Sequence, residues 1–231
     1  MNIIELQRVS KSFGPIKALE QINLSLESGR IIGLLGTNGS GKSTMIKLIN
    51  DLLVPDQGIV KVNGHKPGIE TKKIVSYLPE RSYLDPNMKV VEILRYFQDF
   101  YKDFDIQKAQ DLLKEFTIPV DRRIKTLSKG TREKLQLILV MSRKAKLYIL
   151  DEPMAGVDPA ARDHILDTIL SGYDEGSTIL ISTHLIADVE RVLDEVIFLD
   201  HGHITRHEQA DPLRMREGKS IDQIFREDFR C

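Results

Sequence analysis

The chain has 231 residues, of which 41% are apolar, so it can bury a hydrophobic core and a disordered chain is excluded. Its 33 basic and 34 acidic side chains nearly cancel, so no overall field favours nucleic acid or an anionic lipid surface. Cys231 is the single cysteine, which excludes a disulfide framework and a pair of thiolate metal ligands.

The first half of the chain reads mainly as strands. Short alternations of apolar and polar residues from Asn2 to Leu26 predict antiparallel strands. The apolar run at 30–36 predicts a strand buried on both faces, and a helix follows over about 41–52. Further strands are predicted at 58–64 and 72–78. No signal peptide and no long apolar window occurs, so we expect a soluble, intracellular protein.

The second half alternates between helix and strand. Residues 80–144 predict a helical insert, with apolar residues at helical spacing: Val91, Leu94, Phe97, Tyr101 and Phe104. Three apolar strands follow, separated by helical stretches: 146–152, 177–183 and 194–200. This alternation predicts a mainly parallel sheet covered by helices. The end of the chain, 209–231, reads as a short polar tail.

A glycine-rich loop stands between the buried strand and the first helix. The spacing from Gly36 to Ser43 fits G-x-x-x-x-G-K-[ST], in which backbone N–H groups and a helix N-terminus surround phosphate oxygens. Lys42 is expected to reach the β and γ phosphates, Ser43 to hold Mg²⁺ and Thr44 to bond a phosphate. The alternative is a glycine-rich turn without a ligand. The predicted nucleotide-binding residues of the loop are Gly36, Thr37, Asn38, Gly39, Ser40, Gly41, Lys42, Ser43 and Thr44.

Polar residues follow two of the later strands. Asp151 is expected to hold Mg²⁺ through water, and Glu152 to deprotonate a water that attacks the γ-phosphate. His184 ends another strand and is a candidate donor to the same phosphate. The alternatives are a solvated turn at Asp151-Glu152 and an ordinary histidine at a helix start.

Five motifs occur in the order seen in ATP-binding-cassette (ABC) ATPases, and the chain resembles that family over nearly its whole length: GTNGSGKST, LSKGTREK, LYILDEP, AGVD and STH. The resemblance implies one nucleotide-binding domain of α/β class, with a RecA-like phosphate-loop core at 1–80 and 145–208. It implies an antiparallel β layer in that core and a helical subdomain at 81–144, with 209–231 left as the tail.

The resemblance also implies a head-to-tail dimer, in which the signature residues meet ATP held by the opposite subunit: Leu127, Ser128, Lys129 and Gly130. Asp158 resembles the aspartate that links the two sites, or it caps the helix before Pro159. Glu80 stands where the family usually has a metal-contacting glutamine. Phe13 matches the aromatic residue that stacks on adenine, with Ala18 near the ring, and its alternative is core packing.

The family resemblance implies a Mg²⁺-dependent ATPase, the motor subunit of a transporter with a separate membrane permease. The residues within these motifs are most similar to those of ABC exporters of drugs, antibiotics or small peptides. The resemblance therefore also implies that the protein is peripheral on the inner face of the cell membrane. It implies that two ATPase subunits, identical or different, form a pair. Alternatives are a cassette that acts on ribosomes or nucleic acid, and a nucleotide-binding module without turnover.

Three other segments of the chain have residue patterns that suggest a contact surface, a basic face or a metal site. Tyr83, Leu84 and Met88 are candidates for contact with the membrane partner, whereas Phe97, Tyr101 and Phe104 are expected to form the insert's own core. The basic run 121–134 reads as a solvated face near phosphate, since aromatic residues are not interleaved with it. A turn is expected at His201 and His203, in preference to a metal site.

Overall fold

The structure is a computed structural model that describes residues 1–174 and 176–229. Its first sheet has three antiparallel strands, with β1 (Asn2–Phe13) between β2 (Ile16–Glu27) and β4 (Gln57–Val62). Inward positions of β1 and β2 alternate with exposed ones, which is the pattern of a sheet packed on one face. The predicted antiparallel layer is therefore confirmed.

The second sheet has six strands in the order β5-β6-β7-β3-β8-β9. They are β3 (Ile31–Leu35), β5 (Val75–Leu78), β6 (Leu147–Asp151), β7 (Thr178–Thr183), β8 (Glu195–Asp200) and β9 (His203–Gln209). All neighbours pair in parallel except β8 and β9. The C-terminal ends of β3, β6 and β7 consequently meet at one edge, where ligands of such sheets bind.

Nine helices of the described chain connect and cover the strands. They are α1 (Lys42–Ile49), α2 (Ile69–Ile74), α3 (Val90–Phe100), α4 (Ile106–Glu115), α5 (Lys129–Met141), α6 (Pro159–Gly172), α7 (Ile186–Val189), α8 (Ala210–Glu217) and α9 (Ile221–Phe229). Short 3-10 turns occupy Ile124–Thr126 and Glu190–Val192.

Helix α5 belongs to two hydrophobic cores at once. Leu137 and Met141 pack into the core on one face of the parallel sheet, together with residues of α6 and α9. Leu135 and Ile138 pack into the separate core of the helical insert, with α3 and α4. The opposite face of the parallel sheet packs on α1 and the antiparallel layer. Because α5 is shared, it ties the helical insert to the parallel sheet.

The structure differs from the predictions at the start of β5 and at the end of α3. Residues 72–74 end α2, and the strand begins only at Val75, because reciprocal hydrogen bonds between Gly68 and Thr71 start a helix at Ile69. The predicted α3 periodicity also extends too far, since the helix ends at Phe100. Phe104 nevertheless packs into the insert core, as expected for the aromatic residues of this segment.

The C-terminal segment is not a polar tail. It forms α8 and α9, and Ile221, Ile224 and Phe225 of α9 are buried in the main core. The rings of Phe225 and Phe198 lie 5.3 Å apart, edge to face. Spacing of three and four residues puts these apolar side chains on one helix face, while charged neighbours cover the other. Cys231 lies outside the described residues.

Candidate phosphate and magnesium site

The glycine loop connects β3 to α1 in the predicted order. Gly39 and Gly41 have φ values of +83° and +113°, which L side chains rarely adopt. A Cβ on Gly36 would lie 2.4 Å from the Leu199 carbonyl oxygen, and one on Gly41 would lie 2.5 Å from the Ala18 carbonyl oxygen. The loop therefore requires bare backbone at these positions, as expected of a nest of N–H groups.

Lys42 is buried within this loop although it carries a charge. Its Nζ donates to the carbonyl oxygens of Gly36 at 2.7 Å and Thr37 at 3.1 Å. Burial lowers the pKa of Lys42, and the nearby carboxylates of Glu152 and Asp151 oppose that shift. The hydroxyl of Ser40 is buried in the same loop without a hydrogen-bond partner among the described residues. Both groups suit a phosphate, which accepts hydrogen bonds and carries negative charge.

Asp151 and Ser43 lie side by side, as the magnesium prediction requires. The Ser43 hydroxyl donates to Asp151 Oδ1 at 3.4 Å, and the Ser182 hydroxyl donates to the same oxygen. Burial raises the pKa of Asp151, whereas these two hydroxyl groups lower it. Glu80 is exposed two residues beyond β5, and its charge also raises the pKa of Asp151. These hard oxygen donors are the ligands that Mg²⁺ prefers.

Glu152 is held between Lys42 and His184. Its Oε1 lies 3.8 Å from Lys42 Nζ, and its Oε2 lies 2.9 Å from His184 Nδ1. The backbone of Glu152 has φ +51°, and its N–H donates to the Ser182 carbonyl oxygen at 2.9 Å. A non-glycine residue in this conformation is strained, and such strain clusters at functional sites. The structure thus brings the three predicted catalytic residues together.

Ser182 and Thr183 take part in this site although the sequence analysis did not select them. Ser182 pairs with Asp151 across the parallel strands, and the Thr183 hydroxyl donates to Glu152 Oε2 at 3.3 Å. Both are fully buried polar residues at the end of β7. Their signal in the sequence is two hydroxyl side chains that close an otherwise aliphatic strand.

Phe13 is exposed at the end of β1, so the alternative of core packing is wrong. Its residue surface is 47% accessible, and Lys11 Nζ lies 5.7 Å from the ring centroid. Ala18 follows on the paired strand, and its carbonyl oxygen contacts the end of the phosphate loop at Gly41. Adenine stacking on this exposed ring stays a prediction.

The signature residues lie apart from the phosphate loop. Ser128 caps α5 and accepts a hydrogen bond from the Thr131 N–H at 3.1 Å, so the helix begins earlier than the sequence indicated. Lys129 is exposed, and Gly130 has open space beside it. In the described chain, no hydrogen bond or ion pair joins Leu127–Gly130 to residues 36–44.

Asp158 caps α6, as one of its two interpretations requires. Its carboxylate accepts the Ala160 N–H at 3.0 Å, and Pro159 occupies the first helical position. His201 lies in the turn between β8 and β9, where a turn was predicted, and His203 begins β9. The role of Asp158 between two sites stays a prediction.

Comparison with known proteins identifies the family. Residues 19–155 match the family described as ABC transporter. The chain belongs to the ABC transporter family. Membership implies that this ABC protein binds ATP and hydrolyses it, and the spatial grouping of Lys42, Asp151 and Glu152 accords with that chemistry. In residues 1–174 and 176–229, every helix is too short or too polar to span a lipid bilayer.

Named relatives of this ABC ATPase include two curated proteins and one solved structure. The Nod factor export ATP-binding protein I of Rhizobium sp. (strain N33) is 32% identical and covers 86% of this chain and 68% of its own. The linearmycin resistance ATP-binding protein LnrL of Bacillus subtilis (strain 168) is 30% identical, with coverage of 87% and 68%. The structure of an ATP-binding subunit of an ABC transporter superposes with TM-score 0.87 at 29% identity, covering 97% and 98%.

A large groove lies between the helical insert of this ABC ATPase and the edge strand β5. Its volume is about 820 Å³, and exposed apolar side chains line it: Leu52, Ile69, Tyr83 and Phe100. Of the three residues predicted to contact a partner, Tyr83 is in this groove. Leu84 is instead buried in the insert core, and Met88 packs against that core, because both fill the space beneath α3.

Proposed function

We propose that this protein is the Mg²⁺-dependent ATP-hydrolysing motor subunit of an exporter for drugs, antibiotics or small peptides, coupled to a separate membrane permease. The observation that carries the proposal is the Glu152 carboxylate, held between Lys42 and His184 and beside the Asp151–Ser43 pair. No nucleic acid is required as a partner. Two ATPase subunits, identical or different, form the working unit.

Each residue of the cluster has one task in this proposal. The N–H groups of 36–44 and the Lys42 ammonium bind the phosphates, and Phe13 stacks on the base beside Ala18. Ser43 and Asp151 would hold Mg²⁺, with Glu80 bonding through water, and the bound ion would supply positive charge that offsets the charge of the phosphates.

The chemical step requires a base for the attacking water and a hydrogen-bond donor that stabilises the negative charge developing on the γ-phosphate. Glu152 accepts the proton of the attacking water, and His184 donates to the γ-phosphate. The left-handed backbone of Glu152 keeps its carboxylate facing Lys42. Leu127–Gly130 of a second copy present another helix N-terminus to the same ATP. Asp158 then links the two ATP sites across the dimer.

The groove beside β5 supports a membrane-embedded partner. Exposed aromatic and aliphatic side chains of this extent mark sites of protein association. Cationic side chains such as Lys47 and Arg81 surround them, and no carboxylate lines the groove in the described residues. A permease helix with an apolar face and acidic flanks fits this surface. The protein is then peripheral on the inner face of the cell membrane. The printed names of the export and resistance relatives favour outward transport.

Glu152→Gln tests the catalytic assignment. The amide retains the size of the side chain but cannot accept a proton, so kcat is expected to fall about 10²- to 10⁴-fold while ATP binding is retained. Glu115→Gln is the matched control, because Glu115 also faces a histidine, His164, at 3.3 Å but lies on α4. Equal turnover of Glu152→Gln and wild type would remove Glu152 as the base.

A detergent pull-down tests the transport assignment. Affinity-tagged protein, expressed in its own cells, is expected to co-purify with a polytopic membrane protein. Phe100→Glu is expected to abolish that co-purification, since it puts a charge in the groove, and to leave basal ATP hydrolysis unchanged. Recovery of ribosomes in place of a membrane protein would contradict the transporter role and support the alternative of a ribosome-acting cassette.

A further inference from the structure

The ring of Phe13 stands at the end of a strand that has lost one of its neighbours. Strand β4 pairs with β1 only as far as Ser10, and beyond that residue β2 is the one strand partner of β1 in the described chain. The β1–β2 pairing is irregular on both sides of Lys11, and a turn at Gly14 with φ +57° follows Phe13. The sheet alone therefore does not fix where this ring lies.

Asp56, the residue before β4, supplies the bonds that the sheet lacks. Its N–H donates to the Ser10 carbonyl oxygen at 2.9 Å. Its Oδ2 accepts the Ser12 N–H at 2.7 Å, and its Oδ1 accepts from Lys11 Nζ at 2.6 Å. The bonds from Lys11 and Ser12 lower the pKa of Asp56, so its carboxylate is ionised near neutral pH. Asp56 thus holds the three residues that precede Phe13.

Lys11 carries the effect of Asp56 to the ring. Its side chain is only 16% exposed, because it lies along the protein surface between the carboxylate and the ring. Lys11 Nζ lies over the Phe13 ring, 5.7 Å from the centroid, which is within the range of a cation–π interaction. Since Asp56 Oδ1 bonds this ammonium group, the carboxylate keeps the cation on one face. The other face of the ring is left for a planar ligand.

Asp56 also lies on the segment that begins at the phosphate loop. Helix α1 starts at Lys42, and the Leu52 N–H after the helix donates to the Lys47 carbonyl oxygen at 2.8 Å. This bond keeps the chain compact between the helix and Asp56. The phosphate loop and the anchor of the Phe13 ring are therefore parts of one segment. A nucleotide spans the same two places, with its phosphates at one and its base at the other.

We propose that Asp56 is a positioning residue for the base of the nucleotide. It holds the end of β1 and keeps Lys11 on one face of Phe13, so that the base stacks on the opposite face. This inference rests on the proposed function, in which Phe13 stacks on adenine. Without the Asp56 carboxylate the ring samples more orientations, so stacking must order it at a cost in entropy. The phosphate contacts are unaffected, so Asp56 contributes to affinity for the base alone.

Two ligands, one with a base and one without, test this role. Titration calorimetry measures the Kd of the full chain for MgATP and for magnesium tripolyphosphate, which has no base to stack. Asp56→Asn removes the charge that holds Lys11, so it is expected to weaken MgATP binding about two- to fivefold, the size of one exposed cation–π interaction. Tripolyphosphate binding should stay unchanged. Equal weakening for both ligands, or unchanged MgATP binding, would overturn the proposal.

Asp51→Asn is the matched control. Asp51 lies in the same connection between α1 and β4 and pairs with Lys72 at 2.9 Å, and asparagine suits its left-handed φ of +58°. This variant should bind both ligands as wild type does. Lys11→Met is expected to weaken MgATP binding as much as Asp56→Asn, and Lys11→Arg to restore it, because arginine keeps the cation beside the ring. Equal losses in Lys11→Met and Lys11→Arg would contradict a role for the cation.

A double variant separates this inference from the proposed stacking. Because Asp56 acts through the ring, Asp56→Asn combined with Phe13→Ala should bind MgATP no more weakly than Phe13→Ala alone. Multiplicative losses would refute action through the ring. If Phe13→Ala binds MgATP as tightly as wild type, stacking on adenine fails and the positioning role fails with it. If Phe13→Ala weakens binding while Asp56→Asn does not, stacking stands and only the positioning role is refuted.

Discussion

Arg143 connects the helical insert to the parallel sheet, and its replacement provides a stringent stability test. Its side chain is 4% exposed, and its Nε and Nη2 donate to the Asp103 carboxylate at 3.0 to 3.2 Å. Two further hydrogen bonds reach the carbonyl oxygens of Val75 at 2.6 Å and Lys73 at 2.9 Å. The guanidinium also lies 4.0 Å from the Tyr101 ring centroid. One cation thus joins the loop after α3 to the start of β5.

The size of the effect follows from what Arg143→Met leaves behind. Methionine keeps an apolar stem, but the Asp103 carboxylate and two carbonyl oxygens lose their donor. Removal of one partner from a buried ion pair costs about 3–5 kcal/mol. Arg143→Lys keeps the positive charge, but its single nitrogen cannot bond both oxygens of a carboxylate as a guanidinium does. About half of that loss in the free energy of unfolding is therefore expected. The larger value is a substantial part of a typical free energy of unfolding of about 5–15 kcal/mol.

Urea unfolding, followed by circular dichroism, measures this loss directly. Arg191→Met is the control, since Arg191 pairs with Asp163 at 2.9 Å on the exposed surface and contributes under about 1 kcal/mol. Hydrogen exchange should also show helices α3 and α4 of the insert opening before the sheet in Arg143→Met. A loss below about 1 kcal/mol, or equal losses for Arg143→Met and Arg191→Met, would refute the idea that this guanidinium joins insert to sheet.

Two further predictions concern the candidate site. Burial raises the pKa of Asp151, so its ionised form destabilises the nucleotide-free fold at neutral pH. Asp151→Asn should therefore raise the melting temperature near neutral pH while abolishing Mg²⁺-dependent turnover, and the gain should vanish as pH falls through that raised pKa; a lower melting temperature at neutral pH would contradict this. Phe13→Ala should weaken ATP binding about tenfold in a fluorescent-nucleotide titration, as expected for loss of base stacking, while Phe13→Tyr retains it. Equal affinities of Phe13→Ala and Phe13→Tyr would exclude stacking on this ring.

The parts of the site that could be predicted depend on local sequence or on one property of parallel sheets. Gly36 to Ser43 is contiguous, so its glycine spacing and its position before a helix are visible directly in the sequence. Asp151 and His184 each close an apolar strand, and the C-terminal ends of parallel strands share one edge. Their proximity follows once both segments are assigned to the same sheet.

The parts that could not be predicted depend on register and packing. Ser182 reaches Asp151 because β6 and β7 pair with these residues side by side, and strand register is not readable from either segment alone. The contact of Gly156 with Lys129 joins residues 27 positions apart, one in the loop after β6 and the other at the start of α5. Helix α9 was missed because charged residues alternate with its apolar residues along the sequence, and only the spacing of Ile221, Ile224 and Phe225 indicates a buried face.

That same β6–β7 register determines where the side chain of Glu152, the proposed base, points. The Glu152 N–H bonds to the Ser182 carbonyl oxygen, and the left-handed turn that follows directs the side chain toward Lys42 and His184. A non-glycine residue in such a conformation costs about 1–3 kcal/mol, which the buried strands on either side offset. Glycine at 152 would relieve the strain and lose the carboxylate. Asp151 bonds Ser182 from the preceding position, so one pair of strands places both the proposed magnesium ligand and the proposed base. A change in register would therefore displace both together.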